Sequence, residues 1–305
     1  MSNQEKRALV TGAFSFSGKY IAKKLLDEGW KVSTLTNHPS QNSELSELIE
    51  SYPLDFSSPD DIANIMKDAD LFVNTYWIRN ETGKLKFKDV VENTKLLIES
   101  AKHAEVRKFV HISILNPSED SPYPYYRAKA EAENILKESG LNYTILRPAM
   151  LFGDQGILIN NIAWFLRHLP VFAIPGDGSY KMQPIHVVDL AELVNESSKN
   201  NDNKIIDAIG PDIFTFEELI KHICVHIKTN PIVLKLPPDK IPLMMKPLEV
   251  ILRDKVLTKD ELASFMANLL VSESKPTGII HLGEWIAANA SWLGLKYFSD
   301  SKRHK

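Results

Sequence analysis

Tyr125 and Lys129 stand four residues apart in Tyr125-Tyr126-Arg127-Ala128-Lys129, a spacing that sets both on one face if the segment is helical. An ammonium beside a phenol favours the phenolate and lowers a pKa that starts near ~10, so such a pair could move a proton near neutrality. Ser113 lies twelve residues earlier, and its hydroxyl could bond a substrate oxygen next to that phenol. Tyr126, three residues from Lys129, is the alternative register, and the four-residue spacing favours Tyr125. A second chemical feature is Thr11-Gly12-Ala13-Phe14-Ser15-Phe16-Ser17-Gly18, which joins the apolar Ala8-Leu9-Val10 to a helix-like stretch at 19–26. Gly12 allows a tight turn, Gly18 allows the helix to pack close, and N–H groups at a helix start can receive a pyrophosphate.

The elements that must position these residues alternate along the first half of the chain. After Gly29 stops the first helix, strands are predicted at 31–36, 52–55, 71–74, 108–113 and 142–146, with helices at 60–67, 87–102 and 125–139 between them. Short apolar runs separated by amphipathic helices imply an α/β fold, a doubly wound parallel sheet with right-handed crossovers. Past Arg147-Pro148 the pattern weakens, and proline and glycine cluster at 169–178. A helix at 185–198 and a strand at 205–209 read as a return to the sheet, a helix at 215–227 starts on a Thr215/Glu218 capping box, and 242–292 reads as mostly helical. The expected division is therefore a nucleotide-binding domain at 1–150 to which 181–210 returns, and a smaller, mostly helical lobe from 151–180 and 211–305.

The serine, tyrosine and lysine, following a glycine-rich turn at this distance, resemble the short-chain dehydrogenase/reductase superfamily in its extended, atypical, epimerase/dehydratase-like branch. Within that branch the chain is similar to the group containing the nucleotide-binding accessory subunit of respiratory complex I. The resemblance covers about residues 7–225 and implies a Rossmann fold binding NAD or NADP. It also implies catalytic roles for Ser113, Tyr125 and Lys129: the tyrosine as acid/base, the lysine on the nicotinamide ribose, the serine orienting substrate. By the same resemblance the cofactor would meet Gly12, Phe14, Ser15, Phe16, Ser17 and Gly18 in the turn, Asp55 and Phe56 at the adenine, and Asn74 and Thr75 after the fourth strand. Arg147-Pro148 resembles the Leu-Arg-Pro signature of the family, and His186-Val187-Val188-Asp189 resembles the segment that packs the smaller lobe. Read without the resemblance, Asp55 could cap a helix, Arg147 could form an ion pair, and His186 could be a core histidine.

Two departures from the family bear on the cofactor. Ser15 stands where most relatives carry a second glycine, so the turn must avoid positive φ there. The second strand ends in Leu35-Thr36-Asn37-His38, without the carboxylate that holds both ribose hydroxyls and repels a 2′-phosphate. NADP is therefore preferred over NAD, with Lys19, His38 and the Thr36 hydroxyl as candidate phosphate contacts and Asn37 beside them among the cofactor-binding residues.

With 36 lysine and arginine residues against 39 acidic ones, the chain has no pull toward nucleic acid. A single cysteine, Cys224, and an N-terminal segment without an apolar core give the expectation of a cytoplasmic protein. His222 and His226 share a helix face, but no further ligand completes a metal set. The apolar stretch 241–253 could meet a lipid surface; lobe core or an oligomer contact is the preferred reading, and membrane contact is not expected. The proline-rich loop and Trp164-Phe165 are expected to wall a pocket for a lipophilic small-molecule substrate. The leading function is hydride transfer by an NAD(P)-dependent oxidoreductase. The alternatives are a non-catalytic, structural or redox-sensing dinucleotide binder, and a sugar-nucleotide epimerase or dehydratase using Arg167, His168 and Lys181.

Overall fold

In a computed structural model, which describes residues 5–38 and 44–299, the chain runs in order through β1 (Arg7–Thr11), α1 (Phe16–Asp27), β2 (Lys31–Leu35), β3 (Glu50–Tyr52), α2 (Pro59–Met66), β4 (Leu71–Asn74), α3 (Phe87–His103), β5 (Lys108–Ile112), α4 (Pro124–Glu138) and β6 (Tyr143–Pro148). Then follow β7 (Leu151–Phe152), α5 (Ile157–His168), β8 (Val171–Pro175), β9 (Lys181–Met182), β10 (Ile185–His186), α6 (Val187–Ser198), β11 (Lys204–Ala208), β12 (Phe214–Thr215), α7 (Phe216–Ile227), β13 (Ile232–Leu236), α8 (Ile241–Leu252), α9 (Lys259–Met266) and α10 (Leu282–Asn289).

These elements form two compact units. The first comprises the chain through Arg147 together with Leu190–Asp207; the second comprises Pro148–Asp189 and the chain from Ala208 onward. Residues 148–150, 181–189 and 208–210, expected with the first, thus group with the second.

Seven strands of the first unit make one sheet in the order β11-β6-β5-β4-β1-β2-β3. β1 pairs in parallel with both β2 and β4, and the parallel pairing continues through β2–β3, β4–β5 and β5–β6. That is the doubly wound Rossmann arrangement, with the direction of winding reversing beside β1. Its central strands are continuous apolar runs because both faces are covered: every residue of Leu71–Asn74 is buried. Ile21, Ala22 and Leu25 give α1 one buried stripe, and Val90, Val91, Leu97, Ile98 and Ala101 do the same for α3. The core joins Leu9, Leu35, Phe72 and Phe109 from the strands to Leu97, Ile98 and Leu136 from the helices.

β3 ends at Tyr52 rather than spanning 52–55. Pro53 has no N–H to continue the ladder, and Leu54 is instead clasped by the Asn37 amide, which donates to its carbonyl at 2.9 Å and accepts from its N–H at 3.1 Å.

The second unit has its own core, in which Phe152, Ile162, Leu166, Leu219, Ile223 and Ile286 are buried together. Its strands pair in twos: β7 with β10, β9 with β12, and β8 with β13. The β13 strand, a largely apolar run between Pro231 and Pro237, was not anticipated, and the mostly helical reading of 242–292 resolves into three short helices with loops between them. Arg167 donates to the carbonyls of Ala290, Leu293 and Ile227, so its guanidinium fastens helix ends.

Candidate functional site

The turn after β1 is bent by Gly12, which sits at φ +62° and donates its N–H to the Leu35 carbonyl at 2.9 Å. The Ala13 N–H bonds the Thr34 hydroxyl at 3.0 Å, tying the turn to the neighbouring strand. Ser15 is the N-cap of α1: at φ −72° its backbone is extended, and its Oγ accepts from the Gly18 N–H at 3.2 Å. The departure from glycine at this position therefore supplies a helix cap. Gly18 is fixed by sterics, because a Cβ there would lie 2.1 Å from the Gly12 carbonyl oxygen. Phe14 is half-buried and Ser15 exposed. Phe16 and Ser17 occupy the first turn of α1, which carries no acidic side chain, so the positive end of the helix is offered to an anion without internal competition.

At the end of β2 the Thr36 hydroxyl accepts from the His38 N–H at 3.1 Å, and Asn37 holds Leu54 as described. Asp55 is exposed; its carboxylate accepts from the Ser57 N–H and hydroxyl at 2.9 and 2.7 Å, bonds that hold it below the usual carboxylate range. Phe56 packs on Tyr76 with ring centroids 5.0 Å apart. Asn74 is wholly buried. Its Oδ1 accepts from Thr11 Oγ1 and the Tyr76 N–H, and its Nδ2 donates to His111 Nδ1 at 3.2 Å. What Asn74 contributes is the shape of the loop after β4, not a surface contact of its own. Thr75 reinforces that loop, its N–H bonding Thr11 Oγ1 at 2.7 Å and its hydroxyl donating to the Thr11 carbonyl.

Tyr125, Lys129 and a third residue not anticipated from the sequence, Glu133, follow one another at one-turn intervals on α4. Tyr125 is half-buried while Tyr126 is in the core at 3% exposure, so the face toward the site is the one bearing Tyr125. Its ring meets Trp77 edge-on at 6.1 Å and Phe87 at 5.6 Å. Lys129 is 2% exposed; it donates to the Ile112 carbonyl at 2.8 Å and lies 3.9 Å from the centroid of the Trp77 ring. The carbonyl and the π-face both favour an ammonium, yet burial outweighs them and the nearby Glu133 charge, pulling Lys129 down to about 7. Trp77 is thus the joint between the tyrosine and the lysine.

Ser113 follows β5 directly and is also buried. Its hydroxyl donates to Glu133 Oε1 at 2.6 Å, and Glu133 receives Arg147 through both carboxylate oxygens. Ser113 therefore faces any substrate with its lone pairs, its proton being engaged by Glu133. His111, two residues before it, is buried and held well below its ordinary pKa by burial, with Lys129 adding to the effect. With Nδ1 accepting from the Asn74 amide, the neutral ring carries its proton on Nε2, which has no partner among the described residues. Glu133 could have been found from its spacing to Lys129; Trp77 and His111 join the site only through the approach of β4 and β5.

Residues 12–161 match the family described as NAD(P)H-binding. Subunit 9 of the mitochondrial NADH dehydrogenase (ubiquinone) 1 alpha subcomplex of Arabidopsis thaliana is 28% identical over 241 residues, 75% of this chain and 60% of that protein. A photosystem II assembly factor of Cyanophora paradoxa is 27% identical over 219 residues, 70% and 66% of the two chains. The chain spans about 60% of the length of the first curated relatives it matches. Among solved structures, an NADPH-dependent quinone oxidoreductase of Escherichia coli complexed with NADPH superposes with a TM-score of 0.74 over 94% of this chain and 99% of that one, at 18% identity, a likeness of fold.

Proposed function

We propose that the chain is a member of the extended, atypical branch of the short-chain dehydrogenase/reductase superfamily, and from that premise that it binds NADPH and reduces or oxidises a lipophilic carbonyl or alcohol. The left-handed turn at Gly12, the acid-free first turn of α1 and the missing carboxylate after β2 fit a dinucleotide with a 2′-phosphate. When bound, the nicotinamide supplies the hydride. Tyr125 gives or takes the proton at the substrate oxygen, and its half-buried ring among Trp77 and Phe87 is the observation that carries this reading. Lys129, beneath Trp77 and lowered to about 7, offers a partly protonated amine on the helix face that bears the phenol. Ser113 accepts a hydrogen bond from substrate, its own proton held by Glu133.

The test combines binding and turnover. NADPH should bind more tightly than NADH by fluorescence titration, and Thr36→Asp should reverse the order by repelling the 2′-phosphate. Tyr125→Phe should leave NADPH affinity intact while turnover of quinones and other lipophilic carbonyls falls at least ~10²-fold. A tenfold preference of the wild type for NADH, or full turnover by Tyr125→Phe, would overturn the corresponding part.

A second reading rests on Lys129 itself. Its ammonium is already engaged by Ile112 and covered by Trp77, which favours a protein that holds the dinucleotide without turning it over. NADPH binding with no hydride transfer across a broad panel of carbonyls and alcohols supports it. Its relatives named as a subunit and as an assembly factor agree with such a role. The epimerase alternative is weakened, because Arg167, one of its few cationic candidates, is engaged by three carbonyls.

A further inference from the structure

The helix α8 presents apolar residues on two faces. Ile241 is buried, whereas Leu243, Met244, Val250 and Ile251 are 66%, 46%, 75% and 74% exposed. At 100° per residue these four, with Pro247 among them, fall in one arc of about 120°. Of the two expectations for this stretch, lobe core or an oligomer contact, the lobe-core one therefore fails for about a third of its circumference.

The exposed charges around the arc are mainly cationic, with Asp239 the one exposed acid at its N-terminal end among the described residues 239–255. Lys240, Lys246, Arg253 and Lys255 are all exposed. The acidic residues between them are turned to other work: Glu249 accepts from the Val256 N–H at 3.1 Å, and Asp254 is buried and accepts from the Tyr297 hydroxyl at 3.0 Å. An apolar strip with Lys246 along one side and Lys240 at its N-terminal end is complementary to a surface that is apolar beneath a layer of negative charge. The same cations would repel one another across a two-fold contact, which disfavours a second copy as the occupant. A helix of 12 residues is about 18 Å long, too short to span a bilayer, and no helix among the described residues is long and apolar enough to do so.

We propose that α8 docks the protein on the surface of an anionic bilayer, lying in the interface plane with Leu243, Met244, Val250 and Ile251 inserted and Lys240 and Lys246 on headgroup phosphates. The docking is independent of the dinucleotide chemistry proposed above, since none of these residues belongs to that site.

The full-length protein is co-sedimented with vesicles of phosphatidylcholine alone and of phosphatidylcholine with roughly one third phosphatidylglycerol. Binding to the anionic vesicles is expected, reduced at high salt and about tenfold or more weaker for Leu243→Asp/Val250→Asp. Lys240→Glu/Lys246→Glu, which leaves the apolar strip intact, should lose the salt-sensitive part; its folding and that of the first variant are checked by circular dichroism and thermal unfolding. Protein that stays in the supernatant with anionic vesicles overturns the proposal. So does equal binding to phosphatidylcholine alone, or retention of binding by both variants. A dimer by light scattering that Leu243→Asp/Val250→Asp dissolves, without vesicle binding by the wild type, would assign the face to a second copy and equally overturn it.

Discussion

Trp77 carries Lys129 over its face and meets the Tyr125 ring in a T-shaped contact, so one indole sets the environment of two groups. Replacing it by alanine admits water to Lys129 and relieves the burial that depresses its ionisation. In Trp77→Ala the Lys129 titration, followed by NMR of the lysine side chain, should move upward from about 7 toward its ordinary value, while Trp77→Phe should stay closer to wild type. An unchanged titration in Trp77→Ala would mean that other groups desolvate the lysine. Glu133 is the other residue with several dependants. Glu133→Gln keeps the shape but removes the charge that pairs with Arg147 and orients Ser113. Because the Arg147 side chain is 23% exposed and water can partly replace its partner, the loss of stability in denaturant unfolding should be about 2 kcal/mol, below that for a wholly buried pair.

The elements differ in how tightly the sequence dictates them, and the turn before α1 is the most constrained. Gly18→Ala would drive a Cβ into the Gly12 carbonyl, so the turn must open and NADPH affinity should collapse. Ser15→Ala should only remove a cap, at about 1 kcal/mol in thermal or denaturant unfolding, and keep dinucleotide binding. If Gly18→Ala binds NADPH as wild type does, the turn is not the cofactor cradle. Most of the sheet was legible because each strand is a short apolar run followed by a turn residue and a striped helix: 71–74 is β4 to the residue, and 87–102 is α3 less its last residue. Where reading failed, the deciding contact was remote. The end of β3 was announced locally by Pro53, but the clasp of the Asn37 amide on Leu54 that follows it was not. The face of α4 was legible from the spacing of Tyr125 and Lys129, but not that Trp77, 48 residues before Tyr125, lies between them. The exposed arc of α8 could not be told from core, since composition records apolarity and not which side is covered.

For the molecule as a whole, buried cationic groups make stability a function of pH. Burial lowers Lys129 to about 7 and Lys108 to about 8 in the folded chain, against about 10.4 when unfolded. Between those values the unfolded chain binds more protons, so stability rises with pH from near 7 toward 10. His111, also depressed by burial, acts on the acid side: below about 6.5 the unfolded imidazole takes a proton that the folded one refuses. Thermal unfolding across this range should show a midpoint that climbs from acid into mild alkali. Lys129→Met should make the alkaline rise shallower, leaving the share due to Lys108, and keep the acid part in place. A midpoint that falls between pH 7 and 9 would contradict the burial of these lysines.

The one-turn intervals of Tyr125, Lys129 and Glu133 along α4 also govern how such a site can change over generations. Glu133 fixes the rotation of the rod through Ser113 and Arg147, and inserting or deleting one residue between it and Tyr125 would turn the phenol by about 100°. Length changes there are forbidden, whereas exchanging the terminal phenol leaves the anchor at Glu133 untouched. A lineage could thus discard proton transfer in a single step and retain the nucleotide fold indefinitely, and recover the reaction as easily.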